Sequence, residues 1–138
     1  MFTYYRYLFG TRTDYNLKSG AATVAGVHGW VIIPDNWIVP DGLIFNSGYK
    51  YNFGWDYNIY TAAQWETMKT SGAVFLPAAG YRHGASMESV EATCYYRCNY
   101  GTVSPCCAHG DKDFTPSVGS MGGDWNNGES VRLVRDAN

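Results

Sequence analysis

Short apolar runs separated by long polar and aromatic stretches mark out the regular elements of this chain. Residues 27–33 are rich in Val and Ile and end at Pro34-Asp35-Asn36, the pattern of a strand running into a turn, with a second turn at Pro40-Asp41-Gly42. Residues 73–79 read as a buried apolar strand stopped by Gly80. In residues 129–135 Val131 and Leu133 alternate with Arg132 and Val134, as in an edge or half-buried strand. The clearest helical signal is at residues 61–70. Thr61 can cap the first turn, Gln64 completes a capping box, and Tyr60 with Trp65 forms a hydrophobic staple. Trp65 and Met68 then share one face, and Gly72 supplies a left-handed stop.

The remaining segments carry weaker signals. Residues 1–9 predict the end of a helix or a short amphipathic piece closing at Gly10, and residues 11–20 a polar loop. Residues 48–60 predict a long surface loop. Residues 94–127 contain neither Leu nor Ile and are rich in Gly, Ser, Thr, Pro, Asn and Asp. They predict a long loop or a weak hairpin system, which compact domains rarely carry without a function.

At 138 residues the chain fits one domain, numbered 1–138 throughout. Ten basic against twelve acidic residues leave no basic stripe to displace counterions from phosphates, so a nucleic-acid partner is not expected. Aromatic residues, at 17%, outnumber charged ones at 16%. Tyr and Trp join a flat apolar body to a polar tip, which suits both a core and a contact surface. No run approaches the roughly 18 apolar residues of a membrane span. The first ten residues lack a charged lead followed by an apolar core, so no signal peptide is expected there.

All four cysteines, Cys94, Cys98, Cys106 and Cys107, fall within fourteen residues. A disulfide framework spreads its staples across the fold, so this clustering argues against one, and the adjacent Cys106 and Cys107 are badly placed to pair with each other. With His109 the same residues make a candidate zinc set, but two tight Cys pairs are missing. Trp125-Asn126-Asn127, with Asp124 and Glu129, is similar to the Trp-Asn-Asp calcium signature of carbohydrate-binding lectins. It lacks a second oxygen cluster, and a solvated Asn-Gly turn is the better reading. No cofactor or metal is expected. His28 and His83 stand at no recognisable triad spacing, and structural or solvent-facing roles are expected for both.

Several motifs together point to a family. They are Tyr7-Leu8-Phe9-Gly10-Thr11-Arg12-Thr13, Ala22-Thr23-Val24-Ala25-Gly26-Val27, and Ile33-Pro34-Asp35-Asn36-Trp37 followed by Pro40-Asp41-Gly42. Residues 60–67, Gly72-Ala73-Val74-Phe75-Leu76-Pro77-Ala78-Ala79-Gly80-Tyr81-Arg82 and Ser130-Val131-Arg132-Leu133-Val134-Arg135-Asp136 extend the match. The chain resembles the FISUMP-type domain of surface and secreted proteins of gut Bacteroidota. The resemblance covers most of residues 4–93 and again 128–138. It implies an α+β, C-type-lectin-like fold related to the formylglycine-generating-enzyme group, here shortened at its amino terminus. It also implies a cell-surface or secreted setting, and framework roles for Arg82 and Arg132 as buried hydrogen-bond forks.

The departure from the family is local. Where the family reads Gly-Tyr-Tyr-Trp-Ser-Ser-Thr, this chain has Cys94-Tyr95-Tyr96-Arg97-Cys98-Asn99-Tyr100, and the next family strand becomes Pro105-Cys106-Cys107-Ala108-His109-Gly110-Asp111. A localised change between matched flanks is similar to what diversity-generating retroelements do to their C-type-lectin target proteins, some of them displayed on phage particles. Randomising the adenines of an Asn codon cannot yield Lys, Met, Trp, Gln or Glu, and only Lys112, Met121 and Trp125 in residues 94–127 belong to that set. Ordinary divergence remains the alternative origin.

The expected activity is recognition of a protein or glycan without catalysis, on a variable region at residues 94–127. Its contacts are drawn from Arg97, Cys98, Asn99 and Tyr100, from Cys106, Cys107, His109, Asp111 and Asp113, and from Trp125, Asn126 and Asn127. Two alternatives stand beside it. One is a structural or adhesin subunit. The other is a zinc- or copper-dependent enzyme related to the formylglycine-generating group, whose copper-holding Cys pair has four intervening residues where Cys94 and Cys98 have three.

Overall fold

The computed structural model describes residues 7–8, 12–14, 17–48, 54–98, 101–107, 117–121 and 128–130, with backbone alone at 97–98, 101–107 and 117–121. The architecture is mixed α+β, mostly sheet, with one α-helix among the described residues.

Strands β1 (Ser19–Val24) and β2 (Val27–Ile32) form an antiparallel hairpin. Its two-residue turn has positive φ at both Ala25 (50°) and Gly26 (83°), the left-handed pair that matches the twist of the flanking strands. Strand β3 (Ile59–Tyr60) lies parallel to β1, and β4 (Val74–Pro77) is antiparallel to β2, giving a sheet of order β3-β1-β2-β4. Pro77 is tolerated because β4 is an edge strand of this sheet.

Side chains alternate across a strand, so this sheet feeds two cores. On one face Ala21, Trp30, Ile32 and Leu76 pack with Leu8, Ala78, Cys94 and Tyr96. On the other, Ala22, Val24, Val31 and Ile33 pack with Tyr60, Met68 and Ala73, with Trp65 and Phe75 alongside. Gly29 makes room on that second face, since a Cβ there would lie 2.5 Å from the Phe75 ring and from the Leu76 carbonyl.

Helix α1 (Ala62–Thr70) covers the second core. Its capping box is complete, with the Gln64 amide donating to Thr61 Oγ1 at 3.2 Å and the Thr61 amide to Gln64 Oε1 at 2.9 Å. Met68 is fully buried, worth roughly 1.5–3 kcal/mol for a side chain of that size. Trp65 meets the Phe75 ring at 5.7 Å. Gly72 takes φ 97° and its amide donates to the Lys69 carbonyl, so the expected left-handed stop is present.

The expected strands at 27–33 and 73–79 correspond to β2 and β4, while two loop expectations need correcting. Residues 19–20 open β1, and the strand was hidden because Ser19, Gly20, Ala21 and Ala22 are small rather than markedly apolar. Nor is the end of the 48–60 segment a surface loop. It holds the 3₁₀ turn Gly54–Tyr57, then Asn58, which is only 3% exposed, and the buried Tyr60. The Asn58 side chain donates to the carbonyls of Ala21 (2.7 Å) and Asn46 (2.8 Å) and accepts from the Asn46 amide (2.7 Å), pinning the preceding loop to β1. Of the helix end expected at 1–9 only residues 7–8 are described, and residues 131–135 of the last expected strand lie outside the described residues.

Candidate functional site

The region expected to be irregular contains a three-stranded antiparallel sheet of order β7-β8-β9: β7 (Thr93–Cys98), β8 (Gly101–Cys107) and β9 (Ser117–Met121). Of the two readings of this region, the hairpin system therefore holds over these strands and the structureless loop does not. Pro105 within the central strand is explained by a register shift. Between the pairs Cys94–Cys106 and Tyr96–Val103, β7 advances two residues and β8 three, the bulge that a central-strand proline requires.

Alternation along β7 joins this sheet to the framework. Cys94 is 0% exposed and Tyr96 4%, both in the core of Trp30 and Leu76, and the Tyr96 hydroxyl donates to the Pro77 carbonyl at 3.1 Å. Tyr95, the intervening residue, meets the Tyr81 ring edge-on at 5.4 Å. Tyr81 belongs to the hairpin of β5 (Tyr81–His83) and β6 (Ser86–Glu88), and β5 also pairs with β10 (Gly128–Glu129). The segments on either side of residues 99–127 are thereby brought to neighbouring positions, and Ser130 bridges Tyr96 directly.

Cys94 is in a disulfide, which corrects the expectation drawn from cysteine clustering. Its sulfur lies 3.6 Å from the Leu76 carbonyl oxygen, a packing contact because a disulfide sulfur carries no hydrogen. Clustering misled because residues twelve apart in sequence, Cys94 and Cys106, are opposed across an antiparallel hairpin. A disulfide also removes Cys94 from any thiolate set, so the zinc and copper readings lose one of their sulfur ligands. Among the described residues no three His, Cys, Asp or Glu side chains gather to hold a metal.

The expected contact residues divide between two ends of the hairpin. Arg97 and Cys98 pair in register with Thr102 and Gly101 at the turn, whereas Cys106 and Cys107 pair with Cys94 and Thr93 at the far end. Asn99, Tyr100, His109, Asp111, Asp113, Trp125, Asn126 and Asn127 lie outside the described residues, as does Arg132. Arg82 is exposed rather than buried, its Nε donating to the Gly84 carbonyl at 2.7 Å across the tight hairpin turn.

The buried fork is Arg12 instead. At 4% exposure, it donates from Nε to the Leu8 carbonyl (3.0 Å), from Nη1 to Ile33 (2.9 Å) and from Nη2 to Lys18 (3.0 Å). Nη1 also approaches Asp35 at 3.5 Å. Tyr7 donates to Asp35 and Lys18 bonds it at 3.1 Å; these two hydrogen bonds, the Tyr7 one first, hold the Asp35 carboxyl below the usual carboxylate range. The motif around Arg12 was visible in the sequence, but only the fold shows where three carbonyls converge on it.

His28 is structural: its Nδ1 lies 3.0 Å from the Glu91 carbonyl and its ring stacks on Trp55 at 5.3 Å. His83 is exposed, 3.6 Å from Glu88. Glu88 also accepts the Tyr81 hydroxyl at 2.8 Å, and that bond raises the Tyr81 pKa above its ordinary value. Sequence reasoning passed over an open cleft of about 260 Å³ on the framework, lined by residues that include Leu43, Ile44, Asn46, Ile59 and Gln64. Ile44 is 73% and Ile59 63% exposed there. No helix among the described residues is long and apolar enough to cross a membrane.

Comparison with known proteins adds no relative: no protein-family model, curated protein or solved structure matches the chain.

Proposed function

We propose that this chain is a non-catalytic ligand-binding domain of C-type-lectin-like build, with a framework at 4–93 and 128–138 presenting a contact surface drawn from 94–127. The supporting observation is the seating of β7. Cys94 and Tyr96 enter the framework core beside Trp30 and Leu76, so the sheet that carries the departures from the family pattern stands on a fixed base. A surface held in this way loses little entropy on binding, which is what a recognition platform requires. The ligand is a protein or glycan. The Cys94 disulfide agrees with a surface or secreted setting, since disulfides persist in oxidising compartments.

The test separates platform from contacts. Randomising Arg97, Asn99, Tyr100, His109, Asp111 and Asp113 in a displayed library should leave most members folded. From that library, binders to a chosen protein such as lysozyme should be recovered, while Tyr96→Ala should abolish folding or binding whatever the contact residues. A library in which most members unfold would refute a tolerant contact surface. Retroelement diversification is a separate part of the proposal, read from neighbouring DNA. A reverse transcriptase gene and a near-copy of the 94–127 coding segment differing only at adenines support it, and their absence removes it.

The second reading, a structural or adhesin subunit, draws on the exposed Ile44 and Ile59 at the framework cleft. It predicts self-association or a permanent partner, so a monomer in sedimentation at high protein concentration, with no loss of solubility, counts against it.

A further inference from the structure

The register of the β7–β8 hairpin decides which cysteine joins Cys94. The chain has four cysteines and Cys94 is in a disulfide, so its partner is Cys98, Cys106 or Cys107. Cys98 is four residues further along the same strand, about 13 Å away at ~3.3 Å per residue. A disulfide spans only about 4.4–6.8 Å between Cα atoms, which excludes it. Cys107 is opposed to Thr93, and since neighbouring strand positions take opposite faces, it falls on the face of the sheet away from that of Cys94. Cys106 stands directly opposite Cys94, where Cα atoms of an antiparallel pair are about 4.5–5.5 Å apart.

We propose that Cys94 and Cys106 form a disulfide that staples β7 to β8, and that Cys98 and Cys107 remain thiols. The two remaining cysteines cannot satisfy each other, because Cys98 is opposed to Gly101 and Cys107 to Thr93. Those positions are five register steps apart, about 16 Å. The bond forms by two exchanges with a small-molecule disulfide such as oxidised glutathione. One cysteine thiolate attacks it and releases a first small thiolate; the second attacks the resulting mixed disulfide and releases the other. The two cysteines are oxidised, the small disulfide is reduced to two thiols, and each cysteine gives up its proton.

The staple's position gives it a purpose. It closes the hairpin immediately beside the bulge where Pro105 interrupts the central strand, the place where the ladder itself is weakest. It also ties β8 to a residue, Cys94, that is fully buried in the framework core. The assignment stands apart from the ligand reading and holds or fails whatever the surface binds.

The test is a disulfide map of the full chain, refolded with reduced and oxidised glutathione and blocked with N-ethylmaleimide before digestion. Cleavage after Arg97 and Tyr100 puts Cys94, Cys98 and the Cys106-Cys107 pair on three separate peptides. Fragmentation between Cys106 and Cys107 should place the link to Cys94 on Cys106 and the maleimide label on Cys107, with Cys98 labelled. Cys107→Ser should keep the link and lower the thiol count from two to one. A link from Cys94 to Cys98 or Cys107, four labelled cysteines, or loss of the link in Cys107→Ser would each overturn the assignment.

Discussion

Removing the Arg12 guanidinium tests whether one buried cation ties the amino-terminal segment to the main sheet. Three carbonyls, those of Leu8, Ile33 and Lys18, take its hydrogen bonds at 2.9–3.0 Å. A bond to a charged donor is worth roughly 1.5–3 kcal/mol. The Lys18 carbonyl keeps the Ile33 amide at 2.9 Å, so its loss is partial, whereas the other two bonds are lost in full. Arg12→Ala should therefore cost about 3–5 kcal/mol, a large part of the ~5–15 kcal/mol that stabilises a typical domain. Arg12→Lys keeps the charge but not the fork, and should fall between the two at about 2 kcal/mol. Asp35 is 41% exposed, so Asp35→Asn should cost less than either. Urea titrations followed by Trp fluorescence read these differences as midpoint shifts at unchanged slope. An Arg12→Ala cost below about 1 kcal/mol would refute the reasoning, and equal costs for Ala and Lys would show that the fork geometry contributes nothing.

Two further outcomes follow from single residues. Ala25 is exposed and left-handed at φ 50°, a conformation that costs an ordinary residue roughly 1–2 kcal/mol, so Ala25→Asn, which suits this turn beside Gly26, should raise stability by about 0.5–1 kcal/mol in the same titration. An unchanged or lower midpoint would contradict it. Burial pushes the Tyr60 pKa up to about 12 from an ordinary 10.0, so the unfolded chain ionises first; its contribution is intact below pH 10 and is lost as pH rises through about 12. Tyr60→Phe should flatten the fall in stability over that window relative to the native chain and remove one late step from the phenolate absorbance titration. Identical pH profiles for the two proteins would refute the assignment.

Much of the framework was legible because local chemistry and packing agree there. Thr61, Gln64 and Gly72 dictate the helix limits through backbone hydrogen bonds that need no tertiary partner, and β2 shows its Val and Ile. Strand β1 was illegible for the opposite reason. Its central residues are small because both of its faces are covered, and Gly20 would place a Cβ 2.6 Å from the Asn46 carbonyl, so close packing replaced the apolar signal. Asn58 read as loop because a buried amide with satisfied donors and acceptors looks, in sequence, like a solvated one.

The same distinction bears on the edge of the proposed contact surface. In Cys94-Tyr95-Tyr96-Arg97-Cys98 the inward positions are Cys and Tyr, residues equally at home on a surface, so the period of two does not stand out. The structure separates them: Cys94 and Tyr96 belong to the Trp30 core, and Tyr95 to the Tyr81 contact. Substitutions at Cys94 or Tyr96 therefore act on the framework, through a buried cavity or a lost bond to Pro77. The proposed contact surface therefore begins after Tyr96, at Arg97, which pairs with Thr102 near the end of β7. At Cys94, which is buried beside Trp30 and Leu76 and is in a disulfide, a substitution disturbs both the packing and the covalent link.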